Sequence, residues 1–224
     1  MSRLIAFDVD STLLRVESLD TAVEQALADQ ANAAEARARL HELTASGMSG
    51  RIALRDSLLT RIALARMSRT LVDEVAETLR KRITPGMKPV IARLRDQGDE
   101  LHAISGGFVD LLEPVLTDLG FARGNIHANE FVYEDERVVG LDEDNPLSRN
   151  GGKTEVLASI SARASDTIMV GDGMTDFEAY EGGAADRFIG FGVVVEREIV
   201  LAAAAHSGGE FVRSVDALMS ALRR

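Results

Sequence analysis

The chain has 224 residues, 46% of them hydrophobic, which is enough to bury a core and to hold one large domain or a core with an insertion. A formal net charge of −11 argues against a surface built for nucleic-acid backbones or anionic lipids, and zero cysteines exclude disulfides and thiolate metal sites. Met1 to Phe7 lacks the long apolar core of a signal peptide, and the run Ile199 to Ala205 is too short to span a bilayer, so a soluble cytoplasmic protein with no nucleic-acid or membrane partner is expected.

Leu4-Ile5-Ala6-Phe7 reads as a short buried strand ending in acidic residues. From about Glu17 to Arg82 alanine, leucine and charged residues dominate, with helical spacing at Ile52, Leu58, Leu59 and Ile62, which predicts a block of several short helices. Pro85-Gly86 ends that block, and Met87, Val90, Ile91 and Leu94 trace an amphipathic helix closed near Gly98. Leu101 to Ile104 is a second strand, followed by a helix through Phe108, Leu111, Leu112, Val115, Leu116 and Leu119 that Gly120 terminates. Residues Asn129 to Leu141 alternate around Glu134-Asp135-Glu136 and predict a hairpin. A helix over Lys153 to Ala164 and strands at Thr167 to Val170 and Phe188 to Phe191 complete the pattern. Strands alternating with helices predict an α/β fold, a parallel sheet covered on both faces, with the helical block inserted after the first strand.

Chemistry concentrates at strand ends, where open α/β sheets bind ligands. Phe7-Asp8-Val9-Asp10-Ser11-Thr12 closes the first strand; in extended chain Asp8 and Asp10 face one space, and two carboxylates so close need a cation or a proton between them. Ile168-Met169-Val170 leads into Gly171-Asp172-Gly173-Met174-Thr175-Asp176, a second acidic strand end whose glycines let the backbone approach a ligand. A few carboxylates beside a phosphate, with no His or Cys cluster, suit Mg²⁺. Ser105-Gly106-Gly107 offers a hydroxyl and backbone N–H groups to phosphate oxygens, and Lys153 after Gly151-Gly152 offers an ammonium. Each motif alone also reads as ordinary turn, helix-cap or solvated-charge chemistry.

Taken in order, these four motifs resemble the haloacid dehalogenase superfamily of phosphohydrolases, and the resemblance spans nearly the whole chain. It implies a Rossmann-like core over residues 1–14 and 84–224 and a helical cap over 15–83. Within the superfamily the sequence is most similar to the phosphoserine phosphatase family, in its eukaryotic-type branch. Glu17 matches that family's binder of the substrate ammonium, Met48-Ser49-Gly50 its Met-x-Gly motif, and Arg61 its binder of the substrate carboxylate. Alone, Glu17 and Arg61 also read as a helix-start acid and a surface arginine. Leu54 departs from the family's usual phenylalanine, and Thr175 from the asparagine of many bacterial members.

The resemblance implies that Asp8 attacks phosphorus to form an aspartyl phosphate and that Asp10 serves as general acid and then base. It implies Mg²⁺ on Asp8, the Asp10 carbonyl and Asp172, with Asp176 orienting that shell. It further implies that Ser105, Gly106 and Lys153 clamp the transferring oxygens and that Met48, Gly50 and Thr175 help to hold the substrate. The implied activity is hydrolysis of a small phosphomonoester, phosphoserine first, in serine biosynthesis, by a monomer or homodimer. Alternatives are a related enzyme acting on phosphohomoserine or a phosphorylated amine, transfer of the phosphoryl group to a second alcohol, and a receiver-type phospho-acceptor domain.

Overall fold

Leu4, Ile5, Ala6 and Phe7 are fully buried because the strand they form, β1 (Arg3–Phe7), lies in the interior of a sheet covered on both sides. In this computed structural model, which describes residues 3–28, 33–48 and 51–223, the chain leaves β1 through a wide turn, Val9–Leu13. Four helices follow: α1 (Ser18–Leu27), α2 (Ala33–Met48), α3 (Leu54–Ala65) and α4 (Arg69–Leu79). The chain then alternates: α5 (Met87–Asp96), β2 (Glu100–Phe108), α6 (Val109–Leu119), β3 (Ile126–Asn129), and the antiparallel pair β4 (Phe131–Glu134) and β5 (Arg137–Leu141). It ends with α7 (Gly152–Ser161), β6 (Asp166–Gly171), α8 (Met174–Glu181), β7 (Arg187–Phe191), α9 (Glu198–Ser207), β8 (Glu210–Val212) and α10 (Val215–Ala221).

Six strands form one parallel sheet in the order β3-β2-β1-β6-β7-β8. Side chains alternate between its faces. Ile5, Phe7, Ala103, Val170 and Ile189 join a core with residues of α1, α3, α4, α5, α6 and α10, whereas Leu4, Ala6, Ile104, Met169 and Phe188 pack with α7, α8 and α9. This is the α/β sheet with helices on both faces that the alternating pattern predicts.

Local differences have physical causes. The sequence pattern names four strands of this sheet; β3 and β8 escape it because Ile126-His127-Ala128-Asn129 and Glu210-Phe211-Val212 are short and half polar. The hairpin is narrower than 129–141: Asn129 ends β3, and pairing runs from Phe131 with Leu141 to Glu134 with Arg137. Phe108 belongs to β2 rather than to the helix after it. The apolar stretch Ile199 to Ala205 lies in α9, which has only Val200 and Ala204 fully buried and leaves Ile199 exposed.

Truncating the centre of β1 tests how far the sheet depends on it. Ile5→Ala is expected to lower the unfolding free energy by about 2–5 kcal/mol through lost burial and a residual cavity; urea denaturation measures it, and a loss within error would show that β1 is not the packed centre.

Candidate active site

At the carboxyl end of β1 the Asp8 amide donates to Val170 O at 2.8 Å, which ties the first acidic residue to the neighbouring strand β6. The chain does not stay extended through the acidic pair and beyond. Asp10 is extended, but Ser11 has φ +55°, in the left-handed region that a non-glycine residue enters rarely, and the Leu14 amide closes the turn on Val9 O. Asp8 and Asp10 nevertheless face one cavity. The Ser18 hydroxyl donates to Asp10 Oδ2 at 2.8 Å, and Oδ1 is buried with no hydrogen-bond partner among the described residues.

The second acidic segment arrives from β6. A Cβ on Gly171 would lie 2.2 Å from Asp176 Oδ2, so only glycine lets that carboxylate fold back against the strand end. Asp176 Oδ2 accepts the Gly173 amide at 3.0 Å at the start of α8. One carboxylate oxygen from each of Asp8, Asp172 and Asp176 lies within 4.8 Å of the others, and all three residues are buried.

Two cations meet this cluster. Lys153 Nζ lies 2.7 Å from Asp8 Oδ1 and 2.6 Å from Asp176 Oδ1. Gly152 sets its approach, since a Cβ there would come within 1.9 Å of Pro146 O and force apart the turn that opens α7. Arg197 Nε donates to Asp172 Oδ2 at 2.8 Å, and its Nη2 lies 3.8 Å from Glu17 Oε1. Thr12 Oγ1 donates to Asp172 Oδ1 at 3.2 Å, and Ser11 Oγ to Glu17 Oε1 at 2.7 Å.

Proton affinities follow from burial and crowding. Burial, and after it the charge of Asp8, pushes Asp172 up to about 6 and Asp176 up to about 8. Burial also lifts Glu17 to about 7, and burial followed by the Glu17 charge holds Asp10 well above the carboxylate range. For Lys153 burial favours the neutral form, but Asp176 and Asp8 outweigh it and keep the ammonium charged. Three crowded carboxylates, Asp8, Asp172 and Asp176, are an all-oxygen donor set fitted to a hard divalent cation.

Asp8, Asp10, Glu17, Arg61, Ser105, Gly106, Lys153, Asp172 and Thr175 all line one cavity of about 180 Å³. Asp176 sits behind it, fully buried. Gly50 and the side chain of Met48 lie outside the described residues. Ser105 accepts the Gly107 amide on its Oγ at 2.9 Å, while Asn129 Nδ2 donates to Gly106 O and Leu147 O and so joins the end of β2 to the turn before Lys153. Arg61 is a buried cation rather than a surface one: Nη1 donates to Asp20 Oδ1 at 3.0 Å and Nε to Ser57 O at 3.3 Å, and Thr44 Oγ1 reaches both Asp20 oxygens.

Sequence reasoning missed Arg197, Asp20, Thr44, Ser18 and Asn129. Two signals were available: the need for a second cation near Asp172, and the place of Ser18 and Asp20 just beyond Glu17 where a helix begins. Thr44, Asn129 and Arg197 carry no local signal, because their partners lie far away in the chain.

The sequence matches the family model for haloacid dehalogenase-like hydrolases over residues 5–181. It is 36% identical over 201 residues to the chloroplastic phosphoserine phosphatase of Arabidopsis thaliana, covering 88% of this chain and 65% of that protein. It is 34% identical over 199 residues to the phosphoserine phosphatase of Rattus norvegicus, covering 88% of this chain and 84% of that one. A crystal structure of a phosphoserine phosphohydrolase-like protein from Francisella tularensis superposes with a TM-score of 0.83 at 30% identity, covering 98% of this chain and 99% of that one.

The raised carboxyl groups fix the sign of a pH effect. In the metal-free protein Asp172, Glu17 and Asp176 retain protons up to about 6, 7 and 8, whereas the unfolded chain loses them near pH 4, at about the ordinary carboxylate value. The folded state therefore binds more protons over that window, and stability falls as pH rises through it. Thermal unfolding without metal is expected to show a lower Tm at about pH 8 than at about pH 5, with Mg²⁺ raising Tm more at the higher pH, where the ligands are free of protons. A Tm that does not respond to Mg²⁺ at either pH would exclude the cluster as a cation site.

Proposed function

Because the chain belongs to the haloacid dehalogenase-like hydrolase family, we propose that it hydrolyses O-phosphoserine to serine and phosphate through a phosphorylated Asp8. The observation that carries this reading is the company Asp8 keeps in one cavity: Lys153 on its Oδ1, Asp10 beside it, and Glu17 and Arg61 as a carboxylate and a guanidinium suited to a zwitterion. The names of the relatives from Arabidopsis and rat support the same substrate.

In this reading a carboxylate oxygen of Asp8 attacks phosphorus as the P–O bond to serine breaks. Asp10 gives a proton to the departing alkoxide. It then takes one from the water that attacks the phosphoaspartate, which releases phosphate and restores Asp8. A proton affinity raised by burial suits a residue that must start protonated, and Asp10 Oδ1, buried without a partner among the described residues, is the oxygen left for this work once Ser18 has engaged Oδ2. Ser105, the Gly106 amide and Lys153 hold the transferring oxygens, and Thr175 contacts the substrate from the start of α8.

Asp8, the Asp10 main-chain carbonyl and Asp172 would hold Mg²⁺, with Asp176 orienting them. Bound there, the ion offsets the repulsion between an anionic nucleophile and a dianionic ester. The reading divides the chain into an α/β core of residues 1–14 and 84–224 and a helical cap of 15–83, and assigns Met48 and Gly50 to the substrate side of that cap. It places the enzyme in the cytoplasm, in serine biosynthesis, as a monomer or homodimer with small molecules as partners. Leu54 in the cavity wall supports a second reading, another small phosphorylated substrate such as phosphohomoserine or a phosphorylated amine, or transfer to a second alcohol.

Asp8→Asn is expected to abolish phosphate release while the circular dichroism spectrum is unchanged; turnover near wild type would remove Asp8 from the nucleophile's place. Glu17→Gln tests the zwitterion pair more cleanly than loss of Arg61, which would strand Asp20 in the interior. Losing a hydrogen bond to a charged group, about 1.5–3 kcal/mol, should raise KM for phosphoserine roughly 10- to 100-fold with little change for p-nitrophenyl phosphate. An equal effect on both esters would show that Glu17 does not bind an ammonium.

A further inference from the structure

Two histidines meet at the edge of the sheet, outside the cavity. His102 lies on β2 and His127 on β3, the last strand on its side, opposite Ile104. Both rings therefore stand on the face that carries Ile104 and packs with α7. His102 is buried. Its Nδ1 is 3.0 Å from His127 Nε2, and its Nε2 is 3.1 Å from Glu100 Oε1.

These partners fix where the protons sit. A carboxylate only accepts, so a neutral His102 carries its proton on Nε2 and offers a bare Nδ1 to the Nε2–H of His127. One added proton is tolerated: taken by His127 it leaves the bond in place, and taken by His102 it reverses the bond once His127 changes tautomer. A second is not, because two imidazolium rings would point N–H at N–H with their centres 5.3 Å apart. Burial lowers the proton affinity of His127, and the charge of His102 lowers it further. The other charges on this face are engaged: on α7, Lys153 meets Asp8 and Asp176, and Glu155 meets Arg149. Arg123, in the turn before β3, pairs with Glu113, while α5 and α6 pack on the opposite face with Leu101 and Ala103.

Little else holds β3. It pairs with β2 at Ala103 with Ile126, Ile104 with His127 and Phe108 with Asn129, and the register shifts between Ile104 and Phe108. We propose that His102 and His127 form a proton-operated clasp, which fastens β3 to β2 while at least one ring is neutral and opens when mild acid charges both. The folded chain then binds fewer protons here than the unfolded one, so the clasp stabilises β3 at neutral pH and loses that effect as pH falls below about 6.5, the ordinary histidine value. The carboxylate cluster acts in the opposite sense, so only a local measurement isolates the clasp. Asn129, two residues beyond His127, donates to Gly106 O and Leu147 O, and carries the change towards the cavity. Its consequence for phosphate binding rests on the phosphatase reading, whereas the clasp does not.

Two measurements on the whole chain decide it, neither of which uses enzyme activity. Ring-nitrogen NMR titration of the wild type should resolve His102 and His127 into two steps more than about one pH unit apart. The remaining histidine in His102→Phe or His127→Phe should take up its proton in one step between them. If each ring in the wild type titrates as it does in the single variants, the clasp is excluded. Amide hydrogen exchange, corrected for the intrinsic effect of pH, reads the opening itself. From about pH 7.5 to 5.5, protection over residues 126–129 should fall about tenfold further than protection over β1 in the wild type, and by no more than β1 in the double variant. Protection that falls equally over both strands of the wild type overturns the proposal even if neither variant folds.

Discussion

Three carboxylates with oxygens within 4.8 Å of one another, at the buried ends of two adjacent strands, set the conditions for everything around them. Negative charge at that density and out of water is unfavourable unless it is protonated, paired or bound to a cation. The protein supplies part of the compensation itself: Lys153 bridges Asp8 and Asp176, and Arg197 takes Asp172. The raised proton affinities of Asp172 and Asp176 measure what remains, and make the cluster responsive both to pH and to a divalent ion.

That cluster also explains the backbone around it. A glycine at 171 leaves the space that Asp176 occupies, and a glycine at 152 lets α7 begin against Pro146 so that Lys153 points between two carboxylates. Ser11 adopts a left-handed conformation immediately after Asp10, and its hydroxyl is then placed on Glu17. At Ser11 an uncommon backbone conformation coincides with the place where the chain must bring charges together.

The helices α1 to α3 carry a second electrostatic assembly. Arg61 could not be buried without Asp20, nor Asp20 without Arg61 and Thr44, so the three hold α1, α2 and α3 in a fixed relation while Arg61 forms part of the cavity wall. Arg55, six residues earlier on the same helix, faces the segment before Lys153 instead. One helix thus carries both Arg61, in the cavity wall, and Arg55, on the segment that leads to Lys153.

Much of this was legible along the chain. Apolar runs ending in acids or Ser-Gly-Gly announce parallel strands with a site at their carboxyl ends, because a strand buried on both faces has to be apolar and the turn after it is where polar groups reach a ligand. Asp8, Asp10, Ser105 and Asp172 could be picked out for that reason, and Lys153 as the cation that such a site needs, and the structure places them around one cavity. Short or half-polar elements such as β3 and β8 stayed hidden, since pairing with a neighbour, rather than their own composition, makes them strands. The partners of charged residues were hidden too: that Arg61 meets Asp20, that Arg197 meets Asp172, and that Arg55 reaches Glu143 and Ser148 depends on distances between segments 25 to 93 positions apart. Residue types and their local spacing are properties of the sequence by itself, whereas the pairing of charges across the fold is decided only when packing determines which segments become neighbours.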